Sequence, residues 1–88
     1  MPDESGFLNA IAAAPADDTA RLVYADWLDE QGIDEATRKA EFLRTQLALG
    51  NNTGRRQKVA ALRDRLAELA RLLPPEWLAV VSKLVVEN

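Results

Sequence analysis

An all-α fold, a small bundle of four to five helices with a C-terminal helical hairpin, is what this 88-residue chain predicts. Three observations predict it. Ala and Leu, both strong helix formers, are frequent, and β-branched residues are few before Val80. Gly and Pro fall between periodic runs rather than inside them. Within the runs, apolar residues recur three and four positions apart. The length suits a single domain over 1–88 with a modest core.

The first helix is expected from Glu4 to Ala14, capped by Asp3 or Ser5 and ended by Pro15. Phe7, Leu8, Ile11 and Ala12 form its apolar stripe. The second is expected from Thr19 to Gln31. Asp17 and Asp18 are its candidate caps, and Gly32 supplies a left-handed stop. Ala20, Val23, Tyr24, Trp27 and Leu28 cover one broad face. Leu22 lies among Asp26, Asp29 and Glu30 on the other side. Either Leu22 is exposed, or the helix is enclosed on both sides and Asp26 is partly buried, which would require a partner such as Arg21 or Arg44.

A third helix is expected from Glu35 to Leu49, with Asp34 as its cap and Gly50 as its stop. Ala36, Ala40, Leu43 and Leu47 form one stripe, and Phe42 and Leu49 a second, so this helix wants neighbours on two sides. The turn-forming run Gly50-Asn51-Asn52-Thr53-Gly54 then leads into a long amphipathic helix over 55–73. Its seam is Val59, Leu62, Leu66, Leu69 and Leu73, in heptad spacing. The short connection favours an antiparallel hairpin with the third helix. Pro74-Pro75 ends the run. The stretch 74–88 reads as a short helix or an extended tail: Pro75 can open a helix bearing Trp77, Leu78 and Val81, with a frayed or extended end after it, whereas Leu84-Val85-Val86 has strand character.

Composition narrows the function. With no Cys and no His, thiol or imidazole nucleophilic schemes and Cys- or His-ligated metal sites are excluded within the chain. No segment is long and apolar enough to predict a membrane span, and no basic leader opens the chain. A cytoplasmic location is the resulting expectation. Residues 1–50 carry a net charge of −6 and residues 51–88 a net charge of +3. Oppositely charged halves attract one another within a chain or between chains.

Three functional readings follow. The first is a non-catalytic protein-interaction or scaffold module, a monomer or weak dimer needing no cofactor. Its candidate surface is Lys58, Arg63 and Arg65, which flank the 55–73 seam. A symmetric homodimer through that seam would set like charges against each other, so an acidic partner fits better. The second is nucleic-acid binding through the basic residues of 55–73; Asp64 and Glu68 interrupt that surface, and the chain as a whole is acidic. The third is a carboxylate site for a hard cation, or an acid/base pair, built on Asp26, Asp29, Glu30 and Glu41. Tyr24, Trp27 and Trp77 read as core aromatics whose polar atoms need partners, with Glu41 a candidate acceptor.

One stretch is more specific than composition. Asp17-Asp18-Thr19-Ala20-Arg21-Leu22-Val23-Tyr24-Ala25-Asp26-Trp27-Leu28-Asp29-Glu30-Gln31-Gly32 is followed by Ala40-Glu41-Phe42-Leu43-Arg44-Thr45-Gln46. This resembles the repeat-companion domain, a bacterial module present in many paralogous copies and often N-terminal to leucine-rich or other repeats. The family pattern is D-D-x-x-R-L-V-Y-A-D-W-L-E-E-x-G-D, a short gap, then R-A-E-F-I-R-x-Q. Here the gap from Ile33 to Lys39 is longer, and Lys39 stands where the pattern has Arg. The likeness covers residues 3–50 well and extends loosely to Trp77. It implies a helical module of unassigned activity, partnered by a protein or an adjoining repeat domain. It also implies that Arg21, Tyr24, Asp26, Trp27, Glu41, Phe42 and Gln46 are motif positions, expected to be structural.

Overall fold

In the computed structural model, residues 4–50 and 56–82 are described. They form five helices and no strand: α1 (Glu4–Ala13), α2 (Asp18–Glu30), α3 (Asp34–Gly50), α4 (Arg56–Arg71) and α5 (Pro75–Val81). Asp3 as a cap, the 51–54 turn and the extended end after Ser82 lie outside the described residues. The Asp17 carboxylate accepts the Thr19 amide at 3.0 Å and starts α2. Gly32 has a φ of 67° and turns the chain from α2 into α3. Gly50 is not a left-handed stop: it is the last residue of α3, and Gly32 alone among the described residues has positive φ. Pro75 opens α5, where its missing amide costs no helical hydrogen bond.

The central element is α3, which packs on both α2 and α4, while α1 packs on α2 and α5. Its first stripe, Ala36, Ala40, Leu43 and Leu47, is buried, and so is Phe42 of the second. Glu41 lies nine residues before the end of α3 and binds Arg65, nine residues after the start of α4. That register makes α3 and α4 an antiparallel hairpin. The core joins Ile11, Tyr24, Ala25, Leu28, Leu43, Leu69, Leu73, Trp77 and Val81, with Phe42 set edge-on to Trp77 at 5.7 Å between centroids.

Two apolar faces differ from the sequence reading. On α2 the buried positions are Arg21, Tyr24, Ala25 and Leu28, whereas Val23 is 51% exposed. Those four positions follow an i, i+3, i+4, i+7 stripe, but its first member is a cation, so counting apolar residues rotates the predicted face toward Val23. Leu22 and Asp26 are both exposed, which settles the alternative left open for that side. On α4 only Leu69 is buried, and Val59, Leu62 and Leu66 are partly covered. The heptad seam meets α3 as its principal neighbour, and one neighbour cannot enclose it.

Burial separates two otherwise identical substitutions. Leu43 is fully buried and Leu72 is 61% exposed. Leu43→Ala should destabilise the fold by about 3 kcal/mol and Leu72→Ala by less than about 0.5 kcal/mol in urea denaturation.

Candidate functional site

The motif residues separate into an inward set and an outward set. Arg21 heads the inward set. Its side chain is wholly buried. Nε donates to the Val81 carbonyl at 2.9 Å, and Nη1 donates to the Pro15 carbonyl at 2.6 Å and the Asp17 carbonyl at 3.4 Å. The Asp18 carboxylate stands 3.9 Å from Nη1. Gln46 donates to the same Val81 carbonyl at 3.2 Å. Val81 is the last residue of α5, so both side chains meet a carbonyl at the negative end of that helix. Burial lowers the Arg21 pKa, and Asp18 and Asp17 oppose that shift. Arginine is the one basic side chain that tolerates such a site, because its guanidinium stays charged when desolvated.

Tyr24 is the second inward group. Its hydroxyl donates to Glu4 Oε2 at 2.6 Å and accepts from Trp77 Nε1 at 2.8 Å. Lys39 Nζ reaches the same Glu4 oxygen at 2.9 Å and lies 5.3 Å from the centre of the Trp77 ring. Glu41, the acceptor expected from sequence, faces α4 instead. Burial and the Glu4 carboxylate raise the Tyr24 pKa. Burial also pushes the Glu4 carboxyl up, but donation from Tyr24 and Lys39 outweighs it and holds Glu4 below its ordinary value. Phe7 stacks on Tyr24 at 5.3 Å and leans on Trp27 at 5.4 Å, closing this end of the core.

The outward set forms ion pairs along the α2–α3–α4 surface. Arg44 bridges Asp26 at 2.7 Å and Asp29 at 2.5 Å. Arg65 grips Glu41 with two nitrogens, at 2.6 and 2.7 Å, and meets Glu68 at 3.1 Å. Donation from Arg65 lowers the Glu41 pKa, and the same contacts raise that of Arg65. Three of the carboxylates considered for a cation are thus already matched by guanidinium groups. No cluster of three or more His, Cys, Asp or Glu able to hold a metal occurs among the described residues. Of the basic surface positions, Lys58 and Arg63 are exposed without an ion pair among the described residues, and Arg65 is engaged.

A cleft of about 190 Å³ opens where α2 turns into α3. Trp27, Leu28, Ile33 and Ala36 supply its apolar lining, and Glu4, Gln31, Glu35 and Lys39 its polar lining. Ile33 is 59% exposed, in a connection that places an apolar side chain beside Glu35. No local feature of the sequence points to Glu4 or the Val81 carbonyl as part of the site. Ile33 carried a signal, as an isolated large apolar residue between Gly32 and Asp34. Lys39 carried one only through the family pattern, which has Arg at that position, and Glu4, 35 residues away, carried none. No family model, curated protein or solved structure matches the chain.

Replacing Arg21 by Met leaves the Val81 and Pro15 carbonyls without this donor. It should cost about 3 kcal/mol in urea denaturation, and Arg21→Lys should recover only part of that, because an ammonium cannot reproduce the fork. Stability should also fall in acid. Glu4 and Glu41 have folded pKa values below the unfolded value of about 4.3, so the unfolded chain binds more protons. Their contribution is full above that value and is lost as pH falls through the folded values. Glu4→Gln should flatten the fall in melting temperature between about pH 5 and pH 3.

Proposed function

We propose that the chain is a non-catalytic protein-interaction or scaffold module that works in the bacterial cytoplasm beside a protein partner or an adjoining repeat domain. The observation that carries this reading is the α2–α3 cleft, where Trp27 and the exposed Ile33 offer apolar surface bordered by Glu35, Gln31 and the Glu4–Lys39 ion pair. Such a concavity receives a bulky apolar side chain, and the exposed Glu35 on its border favours a basic neighbour next to that anchor. The motif likeness supports the same reading. Arg21, Tyr24, Phe42 and Gln46 are used within the fold, holding α1, α2, α3 and α5 in register around the cleft.

Nucleic-acid binding is the second reading, favoured by one observation: Arg56, Lys58, Arg63 and Arg71 are exposed without ion pairs among the described residues. These bases point to several sides of α4, and Asp64 lies among them. Among the described residues, no helix is long and apolar enough to cross a membrane.

Affinity capture from bacterial lysate should retain a partner on the parent chain and lose at least about tenfold of it on Ile33→Asp. Equal retention by the two chains would discard the cleft reading. Duplex DNA binding that weakens steeply between about 50 and 200 mM salt would put the second reading in its place.

A further inference from the structure

Two helix ends carry charge opposite to what their dipoles favour. The C-terminal end of α2 is the negative end of a helix, yet its last turn holds no base and closes on Asp29 and Glu30. The N-terminal end of α4 is a positive end, yet its first turn holds no acid and begins with Arg56 and Lys58. Glu30, Asp34 and Glu35 at the α2–α3 corner are exposed without an ion pair among the described residues. So are Arg56, Lys58 and Arg63 on α4. The antiparallel hairpin keeps the two groups apart. The corner lies at the start of α3, and α4 begins beyond the other end of α3, about 25 Å away at 1.5 Å per residue. Arg63, seven residues along the antiparallel α4, lies about 10 Å nearer the corner, and each separation still exceeds a Debye length of about 8 Å, so within one molecule the two groups are largely screened from each other.

Each end also has uncovered apolar surface. The corner has the cleft with Trp27 and Ile33, and the first half of α4 has the partly exposed Val59 and Leu62. We propose that a second copy of the chain is an occupant of the cleft end, joined head to tail. The acidic α2–α3 corner of one molecule receives the basic, apolar first half of α4 from the next. This deepens the interaction reading above and rests on it. The charge pattern selects this arrangement over a two-fold dimer through α4, which would set Lys58 and Arg63 against their own kind. A head-to-tail contact uses different surfaces on the two partners and leaves one of each free at the ends, so it extends to further copies until its rotation closes a ring.

Sedimentation velocity of the purified chain tests this, from about 10 µM to about 1 mM protein and at about 20 mM and 500 mM salt. At low salt the mean sedimentation coefficient should rise with concentration and continue past the dimer. At high salt it should return to the monomer value. Arg56→Glu with Lys58→Glu, and separately Glu30→Lys with Glu35→Lys, should each weaken association at least about tenfold. Mixing the two variants should restore it, because each reversed end then meets its opposite. Arg56→Glu, Lys58→Glu and Glu30→Lys give their helix ends the charge those ends favour, so these changes should leave the melting temperature unchanged or higher. A chain that stays monomeric over this range at low salt overturns the proposal. So does a dimer that does not extend, or a mixture that fails to associate. Loss of a lysate partner on Ile33→Asp by a chain that is itself monomeric would overturn head-to-tail assembly alone and leave the interaction reading standing.

Discussion

The carbonyl of Val81, at the end of a seven-residue helix, is the point on which the arrangement of the chain depends. A helix as short as α5 has little stability of its own and must be held by tertiary contacts. Arg21 from α2 and Gln46 from α3 both donate to that carbonyl, and Arg21 also gathers the carbonyls of the α1–α2 connection. One buried cation therefore ties the beginning of the chain to its last described helix, 60 residues away in sequence. Burying a charge is costly unless each face of it is matched. Here backbone carbonyls match Nε and Nη1 while the buried Nη2 has no hydrogen-bond partner, so the contact favours one chain path at the cost of one unsatisfied donor.

With α5 in place, Trp77 is delivered to Tyr24, and the Tyr24 hydroxyl passes the connection on to Glu4 and Lys39. These contacts account for the polar atoms of the aromatic core and draw α1 and α3 against it. The inward polar groups of the motif are thereby occupied in holding helices. Among the described residues, the exposed charges include ion pairs along α2, α3 and α4 and two unpaired groups of opposite sign, at the α2–α3 corner and on α4. Surface pairs of this kind contribute little to stability, so folding leaves the pattern of exposed charge largely unconstrained.

Much of the fold was legible in the chain. The stripes of Ala36, Ala40, Leu43 and Leu47, the cap at Asp17, the turn at Gly32 and the break at Pro74-Pro75 are local signals, and each corresponds to a feature of the structure. The face of α2 was legible only in part. Its burial follows a regular helical stripe that starts at Arg21, and a count of apolar residues passes over an arginine. Val23, apolar and therefore counted with the inward face, lies outward for the same reason. The incomplete cover of Val59, Leu62 and Leu66 was hidden too, because spacing along one helix does not reveal how many neighbours that helix has.

The sequence by itself determined the helices, their punctuation, the central place of α3 and the opposition of an acidic first half to a basic second half. These follow from dihedral preference and from periodicity, which act over a few residues. Tertiary structure alone decided that Tyr24 pairs with Glu4 rather than Glu41, that Arg21 and Gln46 converge on one carbonyl, and that Trp27 and Ile33 border a cleft. Those outcomes depend on which faces meet after the helices pack, and a hydrogen bond responds to distance and angle in space, not to separation along the chain.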